Sequence, residues 1–498
     1  MTDNQSIQLP QNLNGVHIHF VGIKGTGMAA LVEILFRQGA YVTGSDVTET
    51  FYTDEILKKL GIKPLPFDKN NITADIKYII YSSAYNPDIH EELVEAKKLN
   101  IPMMLYSEAL GAVSRRCFSA GICGVHGKTT TTGITGTLFN KVDLPSQVLA
   151  GSIIKSFGDS CTMTSQSGKT EGVKYFAAET CEYRKNFMHF APKKIILTSV
   201  ESDHQDFYPT YQDILNAFVD YACLLPSGED LIYCCDDKGA VEASEIIKKK
   251  RPDINLIPYG TTAEGDYKIT LGRICQGKQY FSIALLGECA IKVPGVHNIR
   301  NSTAAVALTI AMLKNNGKDA SLYFDRIKEG LLEFCGGKRR SEIVAELKTP
   351  CGENLTIIDD YGHHPTAVKT TLSGYRDFYR NHKIIVDFMS HTYTRTEALL
   401  EDFAQSFSSA DEVIINKIYA SAREDSSTSH VTGKILCDHV KKYHKNAVYA
   451  EEFTEACDKV YDMICHKSGK EDGYLFVTMG AGDNYKVGLE LIKRLTKK

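Results

Sequence analysis

Residues 121–132 read Gly121-Ile122-Cys123-Gly124-Val125-His126-Gly127-Lys128-Thr129-Thr130-Thr131-Thr132. A glycine turn that delivers a lysine and a threonine to the start of a helix is a phosphate cradle. Backbone N–H groups face the phosphate, the helix N-terminus favours negative charge, the lysine reaches the terminal phosphates and the threonine hydroxyl ligates Mg²⁺. The apolar run 118–123 supplies the strand that such a loop follows, and the pattern predicts Lys128 exposed in the loop. Position 122 is Ile122, so the usual G-x-x-x-x-G-K-T spacing is not met; the chain has the shorter Gly124-x-x-Gly127-Lys128-Thr129. That spacing points away from GTPases and ordinary ATPases and toward ATP-dependent amide-forming ligases.

Gly22-Ile23-Lys24-Gly25-Thr26-Gly27 also follows an apolar run and opens a helix, and Asp46 ends the next strand. The spacing is that of a ribose-binding acid, but a dinucleotide fingerprint has glycine where this chain has Lys24. The turn reads as a site for NAD, as a site for another nucleotide diphosphate with Lys24 as an added charge, or as a structural turn. Glu179 and His204 follow two later strands, and doubly wound sheets assemble their sites at strand ends. Glu179 suits a hard cation such as Mg²⁺. His204 suits a phosphate or the nucleophile better than Mg²⁺ alone, and a plain surface turn is the competing reading. His297-Asn298-Ile299-Arg300-Asn301 opens a long helix. Its two Asn amides lie one turn apart and can share an adenine edge; capping alone also accounts for Asn298.

Asp359-Asp360-Tyr361-Gly362-His363-His364-Pro365 and His391-Thr392-Tyr393-Thr394-Arg395-Thr396 each fill a strand-to-helix turn. Together they make a polar wall for a small zwitterion, with Arg395 for a carboxylate and histidines or carbonyls for an amine. Solvated capping turns are the alternative. Arg339-Arg340 grips a phosphate or solvates a linker.

These clusters need a scaffold of strand ends. Apolar runs at 16–21, 41–44, 78–82, 118–123, 175–178, 194–200, 230–235, 355–358, 383–388, 412–415 and 474–478 read as strands. Helix-period segments at 26–38, 90–99, 366–379, 396–407 and 484–495 lie among them, with further helices from His297 and near Ser321. The alternation predicts an α/β chain with mostly parallel sheets, interrupted by a β-rich excursion at 268–293. A length of 498 residues predicts about three domains. They are a Rossmann-like N-terminal domain at 1–116, a central P-loop α/β domain at 117–336 and a Rossmann-like C-terminal domain at 337–498. A hydrophobic fraction of 43% and a charged fraction of 24% are ordinary for a globular protein. The net charge of −4 gives no basic face for nucleic acid. No run is long enough to span a membrane, and residues 1–14 lack a signal-peptide core. None of the 14 cysteines forms a C-x-x-C pair. Buried reduced thiols in a cytoplasmic protein are expected.

Assembled, these motifs resemble the Mur ligase family from about residue 16 to 490. His19 through Met28, the phosphate loop, His297–Asn301, Phe334-x-Gly336-x-x-Arg339-Arg340 and Gly480-Ala481-Gly482-Asp483 carry the likeness. The Asp359–Pro365 and His391–Thr396 segments resemble the branch that adds L-alanine to UDP-N-acetylmuramate. The resemblance implies cytoplasmic peptidoglycan synthesis, hence a role in cell shape and division, by a monomer or homodimer using ATP and Mg²⁺. It implies the UDP-sugar at Gly22, Lys24, Gly25, Thr26, Gly27, Asp46, Ser82 and Ser83. It implies ATP at Gly124, Val125, His126, Gly127, Lys128, Thr129, Thr130, His297, Asn298, Asn301 and Arg339, the last at the γ-phosphate. Metal falls to Thr129, Glu179 and His204, and the amino acid to Tyr361, His363, His391 and Arg395. Lys128, His204, Arg339 and His363 would carry the chemistry. The chain departs from the family at Lys24, at Thr180-Cys181-Glu182-Tyr183 and at 217–221, where sister ligases have a lysine. A recycling ligase for a murein tripeptide, a nicotinamide dehydrogenase and a non-catalytic nucleotide-binding regulator are the rival readings.

Overall fold

The computed structural model describes residues 7–420 and 430–497. Three sheets carry the three stretches of chain, each with apolar strands covered by helices. The first holds four parallel strands in the order Tyr41–Ser45, His17–Val21, Tyr78–Tyr81, Met103–Leu105. Helix Thr26–Arg37 buries Leu31, Ile34 and Leu35 in the core of this unit. Gly39, with φ +94°, ends it in the left-handed region that glycine reaches without a Cβ clash.

The second sheet has seven strands in the order Asn255–Tyr259, Asp230–Cys234, Lys194–Leu197, Phe118–Cys123, Tyr175–Glu179, Ser146–Ile154, Ser160–Thr164. All neighbours are parallel except the last pair. The strand that feeds the phosphate loop is central and covered on both faces, so it is apolar except for Ser119, whose hydroxyl donates to the Ser114 carbonyl (2.6 Å). Helices Lys128–Lys141 and Val296–Asn315 pack Ile134, Leu138, Phe139, Ala304 and Leu308 against Ile122, Ile196 and Ile232. The β-rich excursion is a three-stranded antiparallel sheet, Ile269–Cys275, Lys278–Ile283 and Gly287–Ile291.

The third sheet runs Glu342–Lys348, Asn354–Asp360, Gly473–Gly480, His382–Met389, Glu412–Asn416, Ala447–Ala450, antiparallel only at the first pair. The expected helix at 396–407 is instead two short ones, Tyr393–Ala398 and Leu400–Ala404. Thr396 Oγ1 bonds the Thr392 carbonyl (2.6 Å) and the Ser390 hydroxyl (2.6 Å), which draws the start back toward the site. Leu399, at φ −118° and ψ 23°, interrupts the run. The strand pair Ser146–Ile154 and Ser160–Thr164 and the helices Tyr211–Ala222, Lys238–Lys250, Gly433–Val440 and Phe453–Ile464 add to the sequence reading.

Asp387 lies fully buried in strand His382–Met389, accepting from the amides of Asn416 (2.9 Å) and Asn484 (3.2 Å). Burial pushes its carboxyl up to about 7, against those two donors. The folded chain therefore holds this proton more tightly than the unfolded chain. Stability falls as pH rises from the unfolded value of 3.8 toward about 7, and flattens above it. At about 1.36 kcal/mol per unit the contribution is roughly 4 kcal/mol at most. Urea midpoints measured across that window should decline in the wild type and decline less in Asp387→Asn. Equal slopes in the two proteins would contradict the assignment.

Candidate active site

The C-terminal ends of strands in the second and third sheets open onto one cavity of about 470 Å³. The phosphate loop Val125–Thr130, Glu179, Glu182, Asp203 and His204 line one side. Tyr361, His363, His391 and Arg395 line the other. The loop is shaped by Gly124 (φ +128°) and Gly127 (φ +80°). A Cβ on Gly127 would sit 2.6 Å from the Asn301 amide oxygen, so helix Val296–Asn315 buttresses the loop directly.

Lys128 is not the exposed loop lysine that the spacing suggests. Its ammonium donates to the carbonyls of Gly124 (2.5 Å) and Val125 (3.2 Å) and to Glu182 (3.0 Å), which is itself buried. Burial disfavours the ammonium, but the Glu182 carboxylate outweighs it and raises the Lys128 pKa. Glu182 feels the converse: burial pushes it up, and Lys128 and His204 pull it below the usual range. His204 Nε2 stands 3.6 Å from Glu182 and 3.8 Å from Asp203. Its backbone φ of +53° is a strained value for a non-glycine residue, and it turns the ring into the cavity wall. Glu179 lines the cavity and accepts the Gly151 N–H (2.9 Å).

Arg395 meets Asp203 across the cavity, with NH2···Oδ1 at 2.7 Å and Nε···Oδ1 at 3.3 Å. The side chains are 8% and 7% exposed, so the pair is desolvated. Burial alone would raise the Asp203 carboxyl; Arg395 and His204 hold it well below the usual range. His363 Nδ1 lies 2.9 Å from the Tyr361 carbonyl, and burial with the nearby Arg395 drives its pKa well below 6.5. The ring is neutral, so Nδ1–H donates and Nε2 is left as an acceptor. Its centroid is 6.0 Å from that of His391.

The two arginines diverge. Arg339, at φ +57°, bonds Asp359 (2.9 Å) and the Gly480 carbonyl (2.8 Å) with its guanidinium 5.3 Å from the Tyr361 ring, and is outside the cavity lining. Of the pair, Arg340 is the one that lines the cavity, 4.9 Å over the Tyr361 ring. The asparagines are also committed internally: Asn298 donates to the Pro294 carbonyl (2.6 Å) and accepts from Asn301 (3.3 Å). His297 is a half-buried ring whose pKa is lowered to about 4, chiefly by desolvation.

The N-terminal turn lies outside this cavity's lining. Asp46 accepts the Lys24 backbone N–H (2.6 Å), which occupies the carboxylate offered to a ribose. The Lys24 ammonium donates to the carbonyls of Val47 (2.8 Å) and Glu49 (2.7 Å), with Asp54 at 3.5 Å. Thr26 bonds the Tyr52 hydroxyl. Ser82 and Ser83 sit past strand Tyr78–Tyr81, Ser82 N–H donating to the Val21 carbonyl (3.0 Å). Lys24 thus braces the loop at 47–54. Lys24→Ala should lower unfolding stability by about 1.5–3 kcal/mol, the scale of hydrogen bonds from a charged donor. Urea melts check this; a weakened sugar-nucleotide affinity at unchanged stability would return Lys24 to the ligand.

Residues 17–117 match the model of the Mur ligase family, catalytic domain. Residues 122–309 match the Mur ligase middle domain and 339–482 the Mur ligase, glutamate ligase domain. The chain belongs to the Mur ligase family. This Mur ligase is 43% identical to the UDP-N-acetylmuramate–L-alanine ligase of Treponema pallidum, covering 96% of this chain and 97% of that one. It is 38% identical to the enzyme of that name from Borreliella burgdorferi, covering 94% and 97%. Among solved structures it is similar to the UDP-N-acetylmuramate–alanine ligase of Thermotoga maritima, at 24% identity, TM-score 0.72 and coverage of 96% and 98%. A murein peptide ligase from Psychrobacter arcticus gives 18% identity, TM-score 0.63 and coverage of 97% and 99%. At those identities the two likenesses concern the fold.

Glu182, Asp203 and Asp236 of this Mur ligase line the cavity and were not among the expected site residues; Arg340, read only together with Arg339, lines it too. Asp236 anchors Arg300 (2.7 Å) and the N–H groups of Thr261 and Thr262, and its carboxyl is lowered to about 2. Burial opposes that shift; the two N–H bonds, the Thr262 hydroxyl and Arg300 outweigh it. Glu182 and Asp203 stood beside residues already singled out, so a scan for acids flanking strand ends would have found both. No helix among the described residues is long and apolar enough to cross a membrane.

Proposed function

We propose that the chain joins L-alanine to the lactyl carboxylate of UDP-N-acetylmuramate, with ATP converted to ADP and phosphate. The observation that carries this reading is the convergence, in one cavity, of a phosphate loop and a buried Arg395–Asp203 pair. In the proposed division of labour, residues 1–116 hold the sugar nucleotide, 117–336 ATP, and 337–498 the amino acid. Thr129, Glu179 and His204 line the cavity and offer oxygen and imidazole donors, so the residues present fit a Mg²⁺–nucleotide. Mg²⁺ would neutralise phosphate charge there.

The lactyl carboxylate attacks the γ-phosphorus of ATP, giving an acyl phosphate and ADP. Such transfer is catalysed by positioning and by fixed positive charge. Lys128 and Arg340 supply that charge. Arg395 clamps the alanine carboxylate, which displaces Asp203 from the guanidinium. The freed Asp203 carboxylate and His363 Nε2 are then acceptors for the amine. The neutral amine attacks the acyl carbon, the tetrahedral adduct collapses and phosphate leaves. Closing the second and third units over the cavity keeps water from the acyl phosphate.

Substrate labelled with ¹⁸O in the lactyl carboxylate tests the sequence of steps. One ¹⁸O should appear in the released phosphate for each alanine joined. Phosphate free of label, with ligation proceeding, would overturn the acyl-phosphate route.

A further inference from the structure

The cavity wall holds a second constellation, overlapping the phosphate loop at His126, to which the ligation steps above assign no role. His126 comes from the phosphate loop, Glu201 from beyond strand Lys194–Leu197, and His364 from the cap of helix Pro365–Phe378. One ligand atom from each lies within 4.8 Å of the other two. His126 Nε2 bonds Glu201 Oε1, and His364 Nδ1 stands 3.6 Å from the same oxygen. The two imidazole centroids are 5.0 Å apart. Thr366 donates to the other Glu201 oxygen (3.0 Å), fixing the carboxylate from the third unit.

His364 is under-satisfied. Its side chain is 7% exposed, yet Nε2 has no hydrogen-bond partner among the described residues. Nδ1 accepts a long 3.4 Å bond from the Thr366 N–H. A buried polar nitrogen left idle is costly and calls for a missing partner. Two imidazoles and one carboxylate suit a borderline transition ion, whereas Mg²⁺ prefers an all-oxygen shell. Around a tetrahedral ion with bonds of about 2.0–2.2 Å, ligand atoms stand roughly 3.3–3.5 Å apart.

We propose that His126, Glu201 and His364 form a binding site for a divalent transition ion of the zinc or cobalt class. The ion clasps the second unit to the third across the cavity, with its fourth position open to the cavity. The site does not depend on which amino acid the enzyme uses, so its test reads binding and not turnover.

Full-length protein freed of metal by chelation and held without nucleotide is titrated with Co²⁺, followed by visible absorption, and with Zn²⁺ by calorimetry. One equivalent should bind with the strong visible bands of tetrahedral cobalt, undisturbed by excess Mg²⁺. His364→Ala, Glu201→Gln and His126→Asn should each weaken binding at least tenfold, since even outer-shell changes cost about 10–100-fold. His439→Ala, on a surface histidine, should bind as the wild type does. Thermal melts confirm folding, and three variants on three segments keep the test decisive if one fails to fold. Unchanged affinity in the folded triad variants, or no tetrahedral band, overturns the proposal. Loss of binding in His204→Ala alone also overturns it, by moving the ion to the Glu182–His204 side.

Discussion

Lys128→Ala is expected to lower ligation turnover by about 10²–10³-fold, the effect of removing one preorganised donor at a centre of developing charge. The ammonium stands on the phosphate loop with its pKa raised by Glu182, so it is charged at every pH of interest. The loss belongs in kcat, because the interaction strengthens as charge moves onto the transferred group. The variant also takes the nearer cation from Glu182, which is 2% exposed in its side chain and keeps only His204 at 3.6 Å. Breaking a buried charge pair costs up to about 3–5 kcal/mol of stability. Lys128→Met combined with Glu182→Gln separates the two effects: this protein should fold near wild-type stability and remain inactive. Wild-type turnover in either folded variant would remove Lys128 from the chemistry.

Arg395→Lys should weaken alanine by roughly 2–5 kcal/mol, the scale for breaking one side of a buried, hydrogen-bonded charge pair. A planar fork engages a carboxylate with two parallel bonds, and a lysine offers a point charge on a longer lever. The Asp203 carboxylate already takes hydrogen bonds from Nε and NH2 of this fork, showing what a carboxylate does there. The alanine KM should rise by roughly one and a half to three and a half decades while ATP affinity holds. Asp203→Asn should act in the same direction but less, because it leaves the guanidinium free for substrate and removes one acceptor for the amine. A fall in ATP affinity with alanine KM unchanged would place Arg395 in the nucleotide site.

What could be read from the chain was whatever is local. The phosphate loop is one contiguous run whose glycines, lysine and threonine each have a fixed place relative to the strand before and the helix after. Arg395 and His363 were legible for the same reason, as strand-to-helix turns crowded with polar groups. Arg339 and Arg340 show the limit. Which of two adjacent arginines lines the cavity is not encoded in a pattern of residue types: Arg339, at φ +57°, is held by Asp359 and the Gly480 carbonyl, and Arg340 lines the cavity. Asn298 and Asn301 do share a helix face, as their spacing predicts, but they spend that proximity on each other and on Pro294. Lys24 looked like a ligand charge because the carbonyls of Val47 and Glu49 that claim it come from a loop more than twenty residues on. The Asp203–Arg395 pair joins positions 192 residues apart and exists only once two sheets face each other.

The most direct measurement is ADP release by the purified chain with ATP, Mg²⁺ and UDP-N-acetylmuramate, with L-alanine or the murein tripeptide supplied in turn and the product weighed by mass spectrometry. The account predicts ADP release that saturates with L-alanine, one UDP-N-acetylmuramoyl-L-alanine formed per ADP, and no ligated product from the tripeptide. Ligation of the tripeptide with L-alanine inert, or ADP release without any ligated product, would contradict it.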